Sequence, residues 1–304
     1  MAKGKKPNQG DELDRQRRIK ELVIIAMFSD DELMERLVLK GGNAIDLLYR
    51  VAGRASVDVD FSIETDFVET ERVAIRRRIE KTLQQTFREN GYEVFDVTME
   101  EQPRGLTPDM ADFWGGYRVE LKLATKEKFE QFSADIEQLR RNAVPLGQGT
   151  KFSIDISKFE YTAGKQPHDL EGYRIFVYTP EMIVCEKLRA ICQQMPEYAQ
   201  VIKRTRKGSS RARDFFDIHS LITSQKIDIK RSTFRELVKK IFKAKRVPLS
   251  LLRRIVAVEV REFHRGDFVA VQNTVNPGTK LETFDFYVDF VGNLVSKLEP
   301  LGDE

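Results

Sequence analysis

The sequence predicts an α+β protein: a mixed β-sheet flanked by helices, followed by a C-terminal part that is almost entirely helical. Three observations carry this reading. Two short segments, VDVDFSI at 57–63 and FSIDIS at 152–157, alternate apolar and polar residues, the mark of a strand with one apolar face. Between and around them lie longer stretches with helical spacing, of which 70–90 is the longest. Beyond Thr179 the alternation does not recur, and each further patterned stretch has the period of a helix. The expected organisation is therefore two domains, residues 1–178 with a helical lead-in and residues 179–304.

In chain order, 11–28 reads as a helix whose apolar side is Leu22, Val23, Ile25, Ala26 and Phe28, and 30–37 continues helically. An apolar run at 37–40 stops at Gly41-Gly42, after which Ile45, Leu48 and Tyr49 fall at helical spacing. The strand 57–63 follows, then the charged amphipathic helix 70–90, ended by Asn90-Gly91 as a C-terminal cap. Strands are expected at 92–99 and 117–124, separated by a Pro/Gly-containing loop that carries Trp114, then a helix over 126–142. Strands at 152–157 and 173–178 complete the first part. Helices are expected at 180–194, opened by Pro180, and at 211–223, 232–243, 249–265 and 281–298.

The chain has 304 residues, 41% hydrophobic and 33% charged, which fits a charge-rich globular protein with a sizeable core. No apolar run approaches the roughly 20 residues that span a bilayer, and the basic, polar N-terminal residues lack the apolar segment of a secretory signal. Cys185 and Cys192 lie seven residues apart on an expected helix, a separation of roughly 10 Å that no disulfide bridges. Reduced cysteines point to the cytoplasm. His168, His219 and His264 have no metal-ligand spacing with each other or with the cysteines. The net charge is only +3, but Lys203, Arg204, Arg206, Lys207, Arg211 and Arg213 crowd one segment. Such a run binds polyphosphate or nucleic acid, or is simply a solvated loop.

Four groups of residues carry candidate chemistry. Gly41, Gly42 and Asn43 form a turn where backbone can approach a phosphate, at the start of a helical segment; the plain alternative is a turn. Asp58 and Asp60 alternate on one strand face behind Arg54 and Ser56, and two hard oxygen ligands side by side suit magnesium; the alternative is an edge strand with a wet face. Asp155, on the other alternating strand, would be a third carboxylate if that strand lies beside the first, with Glu120 as its rival. Two metal ions held by three carboxylates would clamp the attacking and leaving oxygens of a phosphoryl transfer. Finally, Lys187 and Arg189 on one helix, and Arg211, Arg213, Asp214 and Asp217 on another, either line a cleft for a triphosphate or form interhelical ion pairs.

Taken in order, KGGNAIDLLY, R-x-S-x-D-x-DF, the IDI strand, EKLRAI and RDFFDI resemble the AbiEii/AbiGii toxin family, within the DNA polymerase β-like nucleotidyltransferase superfamily. The resemblance runs from about Leu37 to Leu221. It implies a nucleotidyltransferase fold with NTP and magnesium (or manganese) in a cleft between the sheet and a helical domain. It assigns Gly41, Gly42 and Asn43 to the phosphates, Asp58 and Asp60 to the metal, and Asp155 to the third carboxylate. Arg54 and Ser56 match the residues that precede the metal pair, Lys187 the lysine near the phosphates, and Asp214 and Asp217 the D-x-x-D motif, with Arg211 or Arg213 beside it. The sequence departs from the pattern at Asn43, where a hydroxyl residue is usual; an amide also donates to phosphate. The implied protein is the toxin of a toxin–antitoxin or phage-defence (abortive infection) pair. The implied acceptor is RNA, with the tRNA 3′ end as one candidate, and a cognate antitoxin is the implied partner. Transfer to a protein hydroxyl, or a non-catalytic nucleotide- or partner-binding module, are the alternatives.

Overall fold

The computed structural model describes residues 9–49, 58–146, 149–273, 275 and 280–298. Helix α1 (Gln9–Phe28) is polar in its first half and buries nearly every residue from Ile19 onward. α2 (Asp31–Arg36) starts at Asp30, whose carboxylate accepts from the amides of Glu32 and Leu33. β1 (Val38–Lys40) follows. All three of its residues are buried, so it shows no alternation, which is why the sequence pattern gives only an apolar run. The Gly-Gly turn opens α3 (Gly41–Asn43), which continues as a π-helical turn over Ala44–Leu48. β2 (Val59–Ser62) is the expected strand.

α4 (Arg72–Glu89) buries Ile75, Ile79, Leu83 and Phe87, an unbroken i, i+4 stripe, against α1 and β3 (Tyr92–Gln102). β4 (Gly116–Thr125) returns antiparallel. The single helix expected over 126–142 is two, α5 (Lys126–Phe132) and α6 (Ile136–Arg141), because Asp135 adopts an extended conformation and caps the second. β5 (Lys151–Ser157), β6 (Gln166–Leu170) and β7 (Tyr173–Val177) complete the sheet.

After β7 every regular element among the described residues is helical. These are α7 (Pro180–Cys192), α8 (Pro196–Val201), α9 (Ala212–Gln225), α10 (Ser232–Ala244), α11 (Val258–Arg265), α12 (Phe268–Gln272) and α13 (Phe284–Leu298). The stretch expected as one helix at 249–265 is a 3₁₀ segment, Leu249–Val256, joined to α11 at Ala257, which is extended.

The sheet is mixed, in the order β3-β4-β5-β2-β1-β7-β6. β1 runs antiparallel to β2 and parallel to β7, and β2 runs parallel to β5. β6 escapes sequence reading because it holds Pro167 among polar residues; it is an edge strand, where a missing N–H is tolerated. One continuous apolar core joins the sheet to helices α7, α9, α10 and α13.

Candidate active site

The register of the central strands lines up four charged residues in one transverse row. Arg118 on β4 pairs with Asp155 on β5, Asp155 with Asp60 on β2, and Asp60 with Lys40 on β1. Registered neighbours project from the same face of a sheet, so the two acids sit between two bases. Asp155 is thereby the carboxylate beside Asp60. Glu120 registers with Ser153 instead, and its carboxylate takes Lys151 Nζ at 2.6 Å.

The Gly-Gly turn meets this row directly. Gly41 has φ +72°, and a β-carbon there would come within 2.6 Å of Asp60 Oδ2. Both the conformation and the space demand glycine. Asn43 is buried, and its amide nitrogen donates to the main-chain carbonyl of Asp58. Its Oδ1 is buried without a hydrogen-bond partner. Asn43 thus ties the Gly-Gly turn to the residue that precedes β2. Gly42 is half-buried beside it. Arg54 and Ser56 lie outside the described residues.

Charge crowding shapes the acids. Burial pushes the Asp60 carboxyl up to about 7; Lys40 opposes this, while Glu186, Asp155 and Asp58 add to it. Asp58 is raised as well, by partial desolvation and then by Asp155, with Arg118 opposing. Lys40 stays charged despite its burial, because Glu186 and Glu160 hold its pKa well above the ordinary lysine value. Its Nζ donates to Glu186 Oε1 at 2.7 Å and to Ser157 Oγ at 3.1 Å. Arg118 forms a fork on Asp155, Nε to Oδ1 at 2.8 Å and Nη2 to Oδ2 at 3.0 Å.

On the helical side, Lys187 donates to Asp214 Oδ1 at 2.8 Å and Asp217 Oδ2 at 2.7 Å, and all three are buried. The D-x-x-D pair and the lysine therefore come together, as a pin between α7 and α9. Arg189 has a different partner from the one the sequence offers: it holds Glu160, at 2.6 and 3.1 Å, rather than Asp214 or Asp217. Arg211 precedes α9; its guanidinium is 3.8 Å from Asp214, and its main-chain N–H donates to His264 Nδ1 at 2.9 Å. Cys185 and Cys192 are both free and buried.

Among the described residues no three His, Cys, Asp or Glu side chains are gathered tightly enough to form a cation site. The donor set still suits a hard divalent ion. Asp155 and Asp58 each add to the upward shift that burial gives the Asp60 carboxyl, so the three acids feel one another. Arg118 covers both oxygens of Asp155; Asp58 and Asp60 are the carboxylates that would hold such an ion, and Asp155 would take part only without that contact. Lys40, Arg118, Glu160 and Glu186 are the members of this site that sequence reasoning missed. Lys40 stood in plain view before the Gly-Gly turn, and Glu186 before Lys187; no sequence signal marks Arg118 or Glu160.

A mixed sheet with a glycine turn packed on a strand carboxylate, a neighbouring carboxylate in register, and a helical second part is the framework of a nucleotidyltransferase. The chain belongs to the AbiEii family: the family model described as nucleotidyl transferase AbiEii toxin, type IV toxin–antitoxin system, matches residues 23–290. No curated protein matches it. Among solved structures it is similar to JHP933 from Helicobacter pylori, at 16% identity and a TM-score of 0.48 over 96% of this chain and 93% of that one. A second H. pylori protein carrying a nucleotidyltransferase name has 18% identity and a TM-score of 0.47 over 98% and 100% of the two chains. An antigenic nucleotidyltransferase-like protein from Paracoccidioides brasiliensis has 16% identity and a TM-score of 0.33 over 77% and 93%. None of the described helices is long and apolar enough to cross a membrane.

Proposed function

We propose that this nucleotidyltransferase moves a nucleotide from an NTP to an acceptor hydroxyl on RNA, with the tRNA 3′ end as one candidate, as the toxin of a toxin–antitoxin pair with a cognate antitoxin. The observation that carries the reading is the packing of Gly41 against Asp60, with Asp155 and Asp58 beside it. Asp58 and Asp60 would hold magnesium or manganese, and Asp155 would complete the set. The ion, when bound, supplies neutralisation of the triphosphate oxygens and of the departing pyrophosphate. The protein's own contribution is position and charge. The Gly41–Asn43 backbone offers close approach to the phosphates, and Asn43 fixes the carbonyl of Asp58. Arg118, once off Asp155, is free to meet phosphate oxygens in a bidentate fork, and Asp155 is then free to accept the proton of the attacking hydroxyl.

Lys187, Asp214 and Asp217 act in this scheme by holding α9 against α7, whose Glu186 in turn holds Lys40 beside Asp60. Residues 1–178 form the transferase domain and 179–304 the helical domain; the end of the last strand at Val177 supports that division. The test is incubation with each labelled NTP, a divalent metal and total RNA, followed by RNase or protease. Label that is released by RNase supports the reading, and label that only protease releases redirects it to a protein acceptor. The double variant Asp58→Ala, Asp60→Ala is expected to lose incorporation by roughly 10³-fold or more, since loss of a metal clamp removes several kcal/mol of transition-state stabilisation. Undiminished incorporation by that variant would sink the mechanism.

A further inference from the structure

The helical part holds a cavity of 730 Å³ that shares no residue with the Asp60 row. Its walls come from the start of α8, the basic loop after α8, the 3₁₀ segment and α11. The volume falls in the range of small-molecule sites, about 300–1,000 Å³. Met195, Val260 and Phe263 give it an apolar side.

The opposite side is cationic. Two of its five basic residues are already paired: Lys203 with Asp109, and Arg254 with Glu197 and Glu259. The other three are not. Arg206 and Lys207 are exposed and have no ion-pair partner among the described residues. Arg204 is half-buried; Nη2 donates to the Gln194 carbonyl, and Nε is buried with no acceptor. Burial, and then the nearby Arg206 charge, hold the Arg204 pKa below its ordinary value.

The third feature is His264, which is part of the wall and wholly buried. Its Nδ1 accepts from the Arg211 amide at 2.9 Å, so the proton of the neutral ring sits on Nε2. That nitrogen is buried with no hydrogen-bond partner. A buried unsatisfied donor costs about 1–3 kcal/mol, which an acceptor brought to it would offset.

We propose that this cavity binds one phosphorylated nucleoside unit, with its phosphate on Arg204, Arg206 and Lys207, its base against Phe263 and Met195, and a base acceptor atom on His264 Nε2–H. An acyl chain would satisfy the apolar wall but leave His264 unpaired. Inorganic phosphate would satisfy the cations and leave the apolar wall empty. A nucleotide meets all three demands at once, whether free or as one residue of a single strand. The inference does not rest on the metal site, and its failure is separable from failure of the transfer reaction.

The test uses the full chain labelled with ¹⁵N, observing the imidazole nitrogens of His264. The probes are the four nucleoside 5′-monophosphates singly, a five-nucleotide single-stranded RNA with a blocked 3′ end, and inorganic phosphate. At least one monophosphate or the strand is expected to shift Nε2. The exposed-site double variant Arg206→Glu, Lys207→Glu is expected to bind it at least tenfold more weakly with unchanged thermal unfolding. The variant Asp58→Ala, Asp60→Ala is expected to bind it as the wild type does. If the occupant is a strand, three phosphate-facing cations predict affinity falling roughly 20-fold between 50 and 200 mM salt; if a free nucleotide, the strand does not compete. No shift from any nucleotide probe at millimolar concentration overturns the proposal. So does a response to inorganic phosphate that nucleotides do not exceed, or binding that survives the double charge reversal.

Discussion

Asp60 Oδ2 occupies the space that a β-carbon on residue 41 would need, with only 2.6 Å between them. Gly41 also carries a positive φ of 72°. Gly41→Ala therefore pays twice, in backbone strain of about 1–2 kcal/mol and in displacement of the carboxylate. Displacements of this size cost about 10²-fold in rate. The expected outcome is a folded protein, about 1–3 kcal/mol less stable in urea, with incorporation of labelled nucleotide reduced by about two orders of magnitude. Wild-type activity in this variant would separate the turn from the chemistry.

Arg118 competes for Asp155, and both of its contacts are charge-assisted hydrogen bonds. Arg118→Gln should free the carboxylate and tighten manganese binding by about tenfold, the worth of one such partly exposed contact at most. Calorimetric titration with manganese in the absence of NTP reads this without reference to turnover. An affinity equal to that of wild type would mean that Asp155 takes no part in holding the ion.

Lys187 is in hydrogen-bond contact with both Asp214 and Asp217. Lys187→Met takes the shared ammonium away from two buried carboxylates, which costs about 3–5 kcal/mol. Urea unfolding should show that loss, and the remaining activity should follow the folded fraction. A stable Lys187→Met protein with no activity would instead put the lysine on the nucleotide.

His264 predicts the acid limit of the fold. Burial lowers its pKa from 6.5 to about 4, with Asp214 opposing the shift and Arg211 reinforcing it. The neutral ring is favoured in the folded state, so its contribution is complete above the unfolded pKa. It is lost as pH falls from about 6.5 towards 4, because the unfolded chain takes up the proton first. Between pH 7 and pH 5 the loss should be about 2 kcal/mol. His264→Asn, which keeps an acceptor for the Arg211 amide, should remove this part of the pH dependence in urea unfolding. An unchanged pH dependence would assign acid sensitivity elsewhere.

The elements that the sequence pattern exposes are those with one apolar and one polar face. β5 and α4 alternate or stripe because the other side meets solvent, and β2 because its other side carries the Asp60 carboxylate. β1, buried throughout, and β6, an edge strand with a proline, have no such signature. Single-residue breaks at Asp135 and Ala257 split helices whose periodicity runs straight through them.

The same division holds for the site. Local spacing by itself determined the Gly41-Gly42 turn, the Asp58/Asp60 pair, the polar place of Asp155 on its strand and the Asp214/Asp217 spacing, because each is a relation between residues a few positions apart. Only the tertiary structure decided that Asp155 rather than Glu120 stands beside Asp60, that Arg118 and Lys40 bracket the two acids, and that Arg189 answers Glu160. It likewise decided that the basic loop at 203–208 lines a cavity with His264 in its wall. Those relations join strands and helices from about twenty to more than a hundred residues apart, and register between such elements is set by how their apolar faces pack, which no local spacing contains.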